Sequence, residues 1–427
     1  MTSTTFFVLG LLLCAFCGAP LFVVIGGLAL VFFLSVGIDS SAVVIEMYRM
    51  ASAPMLIAIP LFTFAGYLLA ESKSPQRFVN LYRALFGWMP GGLAIVSFIA
   101  CAFFTAFTGA SGVTIIALGG LLYPMLIKEK YSEKFSLGLL TTGGSLGLLF
   151  PPSLPLILYA LVAQVNVDAL FLAGIIPGTL LILFLSLYSI LRGQVSRVQR
   201  EKPEWGKIKK AVCDAIWILP LPAIVLGGIY GGIFTASEAA AVTVAYVFIV
   251  ELCIYRDLKL FRDVPRIVSE SMVLVGSILM ILACALGLTN YLVDEQVPMK
   301  ILEVMRQYIT SKVTFLIMLN LFLLVVGCLM DIFSAIIVVV PLLLPIAKEF
   351  GIHPLHLGII FLTNLEIGYS TPPVGLNLFI SSYRFKKKIP ELCKASLPFL
   401  AVLLLALLII TYVPDLSLFL VRMFGLE

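Results

Sequence analysis

Charged residues are scarce in this 427-residue sequence. Only 12% of the chain is Asp, Glu, Lys or Arg, and 61% is Ala, Val, Ile, Leu, Met, Phe, Trp, Tyr or Cys. Soluble globular domains carry about 25% charged residues, so this chain could not cover the surface of a water-soluble enzyme of its size. The mean hydropathy is +1.12, and the length allows about ten or more spans of ~20 residues each. The composition predicts an all-α, polytopic membrane protein.

The residue types of common catalytic and metal sites are also few. The sequence has two histidines, His353 and His356, which fall close together, and eight cysteines spread along apolar segments. Two histidines do not make a metal site, and we find no Ser/His/Asp or Cys/His arrangement. The net charge of +5 is small and scattered, which does not suggest nucleic-acid binding. We therefore predict no enzymatic activity and no nucleic-acid partner.

Apolar stretches separated by charged loops show where helices are expected. They run approximately over 5–36, 53–70, 91–127, 136–160, 171–191, 211–233, 236–254, 267–293, 313–347, 357–380 and 396–421. The positive-inside rule places the two most basic loops, 192–210 and 384–394, in the cytoplasm. Because both loops lie on the same side, an even number of membrane crossings must separate them. Five apolar stretches lie between them, so one stretch must be re-entrant. The stretch 313–347, interrupted near Gly327 and Asp331, is therefore predicted to be a helical hairpin that does not cross.

The first half predicts the same arrangement in the opposite orientation. Its stretch 91–127 is interrupted at 108–112, which predicts a second hairpin that enters from the other face. An internal repeat at an offset of 220–221 residues supports both hairpins, because Pro151-Pro152 aligns with Pro372-Pro373 and other pairs follow in order. Inverted repeats are typical of secondary transporters. The repeat therefore favours alternating access over a pore.

An amphipathic segment precedes each predicted hairpin. In 71–88 and in 298–311, apolar residues recur at helical spacing and Lys and Arg occupy the other face. Helices of this kind lie in the plane of the membrane interface. We expect two interfacial helices here, with ordinary loop helices as the alternative.

Glycine, proline and hydroxyl residues cluster at four points inside apolar stretches. Unwound backbone survives in a membrane only where protein buries it or it lines a cavity, and its free carbonyls bind cations. Glycine frees the backbone and proline removes a donor, while ligand sets made only of oxygen favour Na⁺ over a transition metal. Helix kinks that serve only packing are the alternative. The predicted unwound segments are 105–112, 143–153, 327–334 and 368–375.

Ionisable residues inside or beside apolar stretches are candidates for function, because burying a charge in a membrane is costly. Asp331, at the tip of the second predicted hairpin, is a candidate for a cation site, and a helix cap is the alternative. Glu366 precedes the last unwound segment and is a second candidate. Glu238 follows Thr235 by three residues, which is the spacing of a capping box. Arg49 could attract an anionic substrate or simply snorkel to the interface.

Short motifs along nearly the whole chain resemble one known family, and they occur in the order that this family shows. The matching residues are Pro60-Leu61-Phe62, Gly66, Ser111-Gly112, Leu146-Gly147, Pro151-Pro152-Ser153, Pro177-Gly178, 234–240, Gly327, Met330-Asp331 and 364–375. In these residues the sequence is similar to the large membrane subunit of tripartite ATP-independent periplasmic (TRAP) transporters.

The resemblance implies an elevator-type secondary transporter, in which scaffold helices hold a mobile domain built from the two hairpins and two broken helices. It implies Na⁺-coupled uptake of an organic acid across the bacterial inner membrane. A periplasmic binding protein would deliver the carboxylate substrate, and a separate, small four-helix membrane subunit would brace the scaffold. The implied division is scaffold 1–70, arm helix 71–90, first transport repeat 91–191, loop and scaffold 192–293, arm helix 294–312, and second repeat with the C-terminal helix 313–427.

The resemblance also implies two sodium sites, carried over by position, and no other cofactor. One would be formed by Thr105, Thr108, Gly147 and Pro151, and the other by Gly327, Gly368, Thr371 and Val374. The candidate substrate-binding or gating residues are Ser111, Ser145, Ser153, Asp331, Ser370, Asn377 and Arg49.

The substrate and the coupling ion stay open at the level of the sequence. The family carries C4-dicarboxylates, sialic acids and other carboxylates, and general resemblance favours a sialic acid. A one-component anion/sodium symporter of the same hairpin class would need no binding protein, and a passive channel subunit would need no ion gradient. Sodium and proton coupling are not separated, and 5–36 could cross once or form two segments around Gly18-Ala19-Pro20.

Overall fold

The first half of the chain forms ten α-helices among the residues that the structure describes. The structure is a computed structural model, and it describes residues 2–39, 41–51, 54–89, 91–195, 204–309 and 311–426. The ten helices are α1 (Thr2–Phe16), α2 (Leu21–Ser35), α3 (Ser41–Ala51), α4 (Ala58–Glu71), α5 (Ser74–Phe86), α6 (Gly92–Thr108), α7 (Ser111–Lys128), α8 (Glu133–Gly143), α9 (Leu154–Ala163) and α10 (Val167–Val195).

The described part of the second half adds eleven helices. They are α11 (Trp205–Ala215), α12 (Pro220–Tyr230), α13 (Ala236–Ile249), α14 (Asp263–Asp294), α15 (Val297–Tyr308), α16 (Lys312–Leu329), α17 (Ile332–Glu349), α18 (Pro354–Gly368), α19 (Leu376–Phe385), α20 (Ile389–Tyr412) and α21 (Asp415–Met423). Seven described helices are long and apolar enough to cross a membrane, and the number rises to ten if each bent pair is one span. The prediction of an all-α, polytopic membrane protein is confirmed.

The apolar stretch 5–36 forms two helices, which decides a question that the sequence left open. The first of them, α1, ends before Gly18, whose φ of +87° is a conformation that glycine adopts without strain. Each of the two helices has 15 residues, or about 22 Å at 1.5 Å per residue. Each is therefore shorter than the ~20 residues of a standard span.

The two halves repeat the same order of elements. The second helix of each hairpin begins at Ser111 and at Ile332, and the broken helices begin at Glu133 and Pro354, an offset of 221 residues in both cases. The Pro-Pro peptide bonds at 151–152 and 372–373 are both cis. The predicted hairpins and broken helices are therefore present at the expected places.

The unwound segments at the hairpin tips are shorter than we expected. The backbone is helical through Thr108 and again from Ser111, so only Gly109 and Ala110 separate α6 from α7. In the second hairpin only Met330 and Asp331 separate α16 from α17. The expected unwinding over 105–112 and 327–334 was thus too long, because most of these residues still complete a helical turn on their own side of the tip.

Polar caps explain where several of these helices begin. Ser132 accepts a hydrogen bond from the Phe135 backbone N–H at the start of α8. At α13, Thr235 and Glu238 form the predicted capping box. Such caps satisfy backbone donors that the first helical turn leaves unpaired.

Close backbone contacts place the two broken helices against their neighbours. A Cβ atom added at Gly358 in α18 would lie 2.6 Å from a ring carbon of Tyr159 in α9, and the Tyr159 hydroxyl donates to the Pro354 carbonyl at 2.8 Å. A Cβ atom added at Gly138 in α8 would lie 2.2 Å from the Ala395 carbonyl oxygen of α20. The two halves therefore interlock around both broken helices.

The predicted amphipathic segments form α5 and α15. Arg77 of α5 pairs with Asp257, which lies beyond the end of α13, and its guanidinium lies 3.8 Å from the centre of the Tyr255 ring. Ser74 donates a hydrogen bond to the buried Glu251 carboxylate. These contacts hold α5 against the end of α13 and the segment that follows it.

Candidate functional site

The break in the first broken helix packs against the first hairpin. The path from α8 through a short 3₁₀ turn at Leu146–Leu149 into α9 bends by 45°. The hydroxyl of Thr105, on the last turns of α6, lies 2.7 Å from the Gly144 carbonyl oxygen. A Cβ atom added at Gly147 would lie 2.2 Å from the Ala102 carbonyl oxygen. Only glycine therefore allows the broken helix to approach the hairpin this closely.

The remaining residues of the first predicted sodium site lie around the same point. Thr108 is fully buried one residue before Gly109, and a Cβ atom added at Gly109 would lie 2.3 Å from Leu154, the first residue of α9. Pro151 lines a cavity together with Ala106, which lies between Thr105 and Thr108 in α6. The structure thus brings the four sequence-predicted residues of this site into one region.

The second break has the same construction. A Cβ atom added at Gly368, the last residue of α18, would lie 2.6 Å from the Gly327 Cα atom in α16. The Gly375 backbone N–H donates to the Cys328 carbonyl at 3.0 Å, so the end of the break also lies against the hairpin. The hydroxyl of Thr371, between these two contacts, donates to the Ile367 carbonyl at 2.9 Å. Val374, the fourth predicted residue, lies on the exposed side of the segment.

Four polar side chains join the two halves between the breaks, and we call them the inter-repeat cluster: Ser111, Thr141, Ser370 and Asn377. The Ser111 hydroxyl donates to Asn377 Oδ1 at 2.7 Å, and Asn377 Nδ2 donates to the Thr141 carbonyl at 3.2 Å. The Ser370 hydroxyl donates to the same carbonyl at 3.4 Å. All four residues are buried. The cluster therefore holds hairpin one and both broken helices together.

Thr141 is a member of this cluster that sequence reasoning missed. It lies in the last turn of α8, directly before Thr142 and Gly143-Gly144. Its hydroxyl also donates to Ser381 at 2.9 Å. The pattern of two threonines before two glycines was the available signal, because hydroxyl residues next to a predicted break are close to its free carbonyls.

The other predicted residues have separate positions. Ser145 lies between the halves and its hydroxyl is 3.4 Å from the Glu366 carbonyl oxygen. The Ser153 hydroxyl is buried at the start of α9 without a partner in the described part of the chain. Asp331 is exposed and accepts a hydrogen bond from the Ser334 backbone N–H at 3.0 Å, so it caps α17. This was the alternative that we left open for it. The Arg49 side chain lies outside the described residues.

Glu366 is buried in α18, two residues before the second break. Within the described residues, neither of its carboxylate oxygens has a hydrogen-bond partner. An ionised carboxylate in such a place would be costly without a compensating charge. Asn364, two residues before it, donates to Asn320 Oδ1 at 2.7 Å and continues the buried polar region away from the break.

The two breaks differ in their exposure. At the first, Thr108, Ser111, Pro152 and Ser153 are buried. At the second, the tip residue Asp331 and the break residues 372–374 are exposed. The second hairpin therefore borders an open surface in this conformation, whereas the first is enclosed.

The donors around both breaks are oxygen atoms of hydroxyl groups and of the backbone. No group of three or more His, Cys, Asp or Glu side chains that could hold a metal occurs among the residues described. This donor set fits a hard monovalent cation such as Na⁺ and does not fit a transition metal. The fold and this site together define a multi-pass membrane transporter of the inverted-repeat class.

Comparison with known proteins gives the family. The model of the family "Tripartite ATP-independent periplasmic transporter, DctM component" matches residues 5–416. The chain belongs to this family, the large permeases of TRAP transporters. It is therefore a membrane permease and not an enzyme, and in bacteria its place is the inner membrane.

Individual relatives agree with this assignment. The chain is 38% identical over 382 residues to the C4-dicarboxylate TRAP transporter large permease DctM of Vibrio cholerae, covering 85% of this chain and 84% of the relative. It is 36% identical to the isethionate TRAP transporter permease DctMQ of Oleidesulfovibrio alaskensis, over 96% of this chain and 69% of the relative. It is 31% identical to the ectoine permease TeaC of Halomonas elongata, over 86% of each chain.

A solved structure supports the fold alone. The YdaH transporter of Alcanivorax borkumensis superimposes with a TM-score of 0.62, covering 90% of this chain and 88% of its own, at 13% sequence identity. At this identity the match supports the arrangement of the helices and carries no information about the substrate.

Proposed function

We propose that this chain is the transport subunit of a sodium-coupled uptake system for a small organic anion, and that it works by an elevator mechanism. The observation that carries the proposal is the pair of helix breaks, each pressed against the tip region of a hairpin and each surrounded by oxygen donors. Thr105 and Gly147 meet at the first break, and Gly327 and Gly368 meet at the second. Paired sites of this kind suit a cation that binds and leaves with the substrate.

The elevator mechanism is supported by how the two halves are joined. The inter-repeat cluster connects hairpin one with both broken helices, which favours movement of the hairpins and broken helices as one body. The boundary between this body and arm helix α5 is apolar. The Phe78 ring of α5 stacks on Phe103 with ring centres 4.4 Å apart, and an apolar cavity of about 250 Å³ lies beside them, lined also by Pro222 of α12. An apolar boundary suits a sliding interface, because few polar bonds must break as it moves.

We propose a C4-dicarboxylate or a related small anion as the substrate. Three relatives at 34–38% identity are named for C4-dicarboxylates, one for isethionate and two for ectoine. Each named solute is small, and the first two classes are anionic. A sialic acid stays a prediction from the sequence. We further propose that a periplasmic binding protein delivers the substrate and that a small membrane subunit braces the scaffold, as the name of the family implies.

The test is uptake into proteoliposomes that hold this chain with its small membrane subunit. Labelled succinate, isethionate and sialic acid are offered separately, each with its binding protein, with and without an inward Na⁺ gradient. Uptake of one substrate that needs both the gradient and the binding protein is the expected result. Uptake without the binding protein would instead indicate a one-component symporter. Flux that does not depend on any ion gradient would indicate a passive channel and overturn the proposal.

A further inference from the structure

A partly enclosed cavity lies at one end of the molecule, away from both breaks. It has a volume of about 180 Å³ and lies between the start of α8, the last turns of α10 and the early turns of α20. We call it the aromatic cavity, after the rings that line it: Tyr131, Phe135, Tyr188 and Phe399. Neither the sodium sites nor the inter-repeat cluster uses any of these residues.

The rings form a continuous apolar wall. Tyr131 stacks on Phe135 with ring centres 5.3 Å apart, and Phe399 lies 5.3 Å from Phe135 and 5.2 Å from Tyr188. Burial raises the pKa of Tyr131, so this phenol stays neutral. The wall can therefore accept apolar groups but adds no negative charge.

Two cations complete the lining of the cavity. Lys134 and Arg192 both line it, both are exposed, and no carboxylate occurs among its described lining residues. Arg192 uses Nε to donate to the Tyr188 hydroxyl at 3.2 Å, which orients a guanidinium group with further donors. The nearby Glu133 pairs with Lys387 at 2.6 Å. The cavity therefore combines a positive rim with an aromatic wall.

The pseudo-symmetric position in the second half shows that the repeat alone does not create this combination. That cavity, of about 350 Å³, is lined by His353, His356, Lys312 and Arg422. It has no Phe, Tyr or Trp among its described lining residues, and it includes Asp415, which pairs with Arg422 at 2.8 Å. The second cavity thus lacks the aromatic wall, and one of its two fixed cations is paired with a carboxylate.

The place of the aromatic cavity identifies the chemistry of its ligand. It lies beside both of the most basic loops, since Arg192 begins the first loop and α20 begins within the second. Basic loops mark the cytoplasmic side of a bacterial membrane protein, and the leaflet there attracts basic segments through its anionic lipids. Arg and Lys bind phosphate oxygens strongly, and aromatic rings suit the boundary between headgroup and chain.

We propose that the aromatic cavity binds the headgroup of an anionic phospholipid. The phosphate would be bound by Lys134 and Arg192, and the glycerol and first chain carbons would pack on Phe135 and Phe399. This inference depends on the membrane location of the chain and not on its substrate or coupling ion.

The experiment uses the full chain, purified and returned to vesicles of phosphatidylcholine containing a fixed fraction of phosphatidylglycerol. Native mass spectrometry then counts the lipids that stay bound. The parent is expected to retain phosphatidylglycerol in several-fold excess over its share of the vesicle. The double variant Lys134→Gln/Arg192→Gln is expected to lose that excess.

A matched control is the double variant Lys207→Gln/Lys209→Gln, which removes two positive charges from α11 outside the cavity and is expected to bind like the parent. The variant Lys134→Arg/Arg192→Lys keeps both charges and is expected to keep most of the excess. Unfolding temperatures of all variants show whether any loss reflects misfolding.

Equal retention of phosphatidylglycerol by the parent and the Lys134→Gln/Arg192→Gln variant would overturn the proposal. Competition with inorganic phosphate distinguishes the two sources of the phosphate group. If millimolar phosphate binds and displaces the lipid, the site is one for free phosphate, which also overturns the assignment to a lipid.

Discussion

Single atoms decide the packing at the first break. The Ala102 carbonyl oxygen and the Ala106 backbone nitrogen would lie 2.2 and 2.4 Å from a Cβ atom at Gly147. Real side chains do not approach so closely, and backbone atoms inside α6 cannot swing aside as a flexible side chain can. A methyl group here must push the broken helix off the hairpin.

We therefore expect Gly147→Ala to lower the free energy of unfolding by about 1–3 kcal/mol, the usual cost of overpacking, and to abolish most uptake. The measurements are the unfolding temperature and initial uptake in proteoliposomes. Gly276→Ala is the control, since Gly276 in α14 has open space around it. Normal uptake in Gly147→Ala would show that the close approach is not needed for transport.

A second prediction concerns the Thr371 hydroxyl. Thr371→Ala removes a proposed sodium ligand, so we expect the sodium concentration for half-maximal uptake to rise several-fold while expression and assembly stay intact. Thr363→Ala is a matched control. The Thr363 hydroxyl donates to the carbonyl four residues earlier at 2.7 Å, just as the Thr371 hydroxyl does at 2.9 Å. Each change costs about 1 kcal/mol of stability, but only Thr371 borders the break. Full uptake by Thr371→Ala at limiting sodium would remove Thr371 from the site.

At the scale of the helices, the inter-repeat cluster makes one unit of elements that are far apart in the sequence. Ser111 begins α7, and Asn377 lies in the first turn of α19. Their hydrogen bond of 2.7 Å joins hairpin one to the segment that follows the second break. Because the bond is buried, loss of either partner leaves the other without water to replace it.

A double-mutant cycle tests this connection. Asn377→Ala is expected to cost about 1–3 kcal/mol, since it removes the acceptor of the buried Ser111 hydroxyl and leaves the Thr141 carbonyl with the longer bond from Ser370. In the double variant Ser111→Ala/Asn377→Ala, the loss of unfolding free energy should be smaller than the sum of the two single losses by at least about 0.5 kcal/mol. Ser97→Ala, whose hydroxyl bonds only within α6 to the Leu93 carbonyl, should combine additively with Asn377→Ala. Additive losses for Ser111 and Asn377 would argue against the connection.

At the scale of the whole molecule, one helix of the predicted scaffold touches the tip of the first hairpin. A Cβ atom at Gly66 in α4 would lie 2.3 Å from the Phe107 carbonyl oxygen and 2.6 Å from the Thr108 Cα atom. The first hairpin is buried at this contact, whereas the second hairpin borders an open surface. The contact therefore belongs to the conformation described here, and an elevator movement would have to break it.

We expect Gly66→Ala to shift the protein away from this conformation and to reduce uptake several-fold. The change in conformation is measured by the rate at which a polar maleimide labels an Ala110→Cys tip in a background without the native cysteines. That rate should rise in Gly66→Ala. Gly227→Ala, at a position with open space, should change neither quantity. An unchanged labelling rate in Gly66→Ala would contradict a moving contact between α4 and the hairpin.

The membrane class, the two hairpins, the two broken helices and the repeat that relates them could all be predicted from local features of the sequence. Composition, apolar length and clusters of glycine and proline are local properties, and a bilayer converts them directly into spans and breaks. The same local rules predicted the capping box at Thr235 and Glu238. They also drew attention to Ser111, Ser370 and Asn377, because each lies within or beside a predicted break.

Which of these groups contact one another depends on how the helices pack. Thr141 joined the cluster through partners more than 200 residues away, Asp331 proved to be a cap, and the tips unwound over only two residues each. The aromatic cavity likewise combines segments from both halves of the chain. Local patterns could not show these pairings, because a buried polar group is satisfied by whichever helix packs against it, and that choice depends on the packing of the whole molecule.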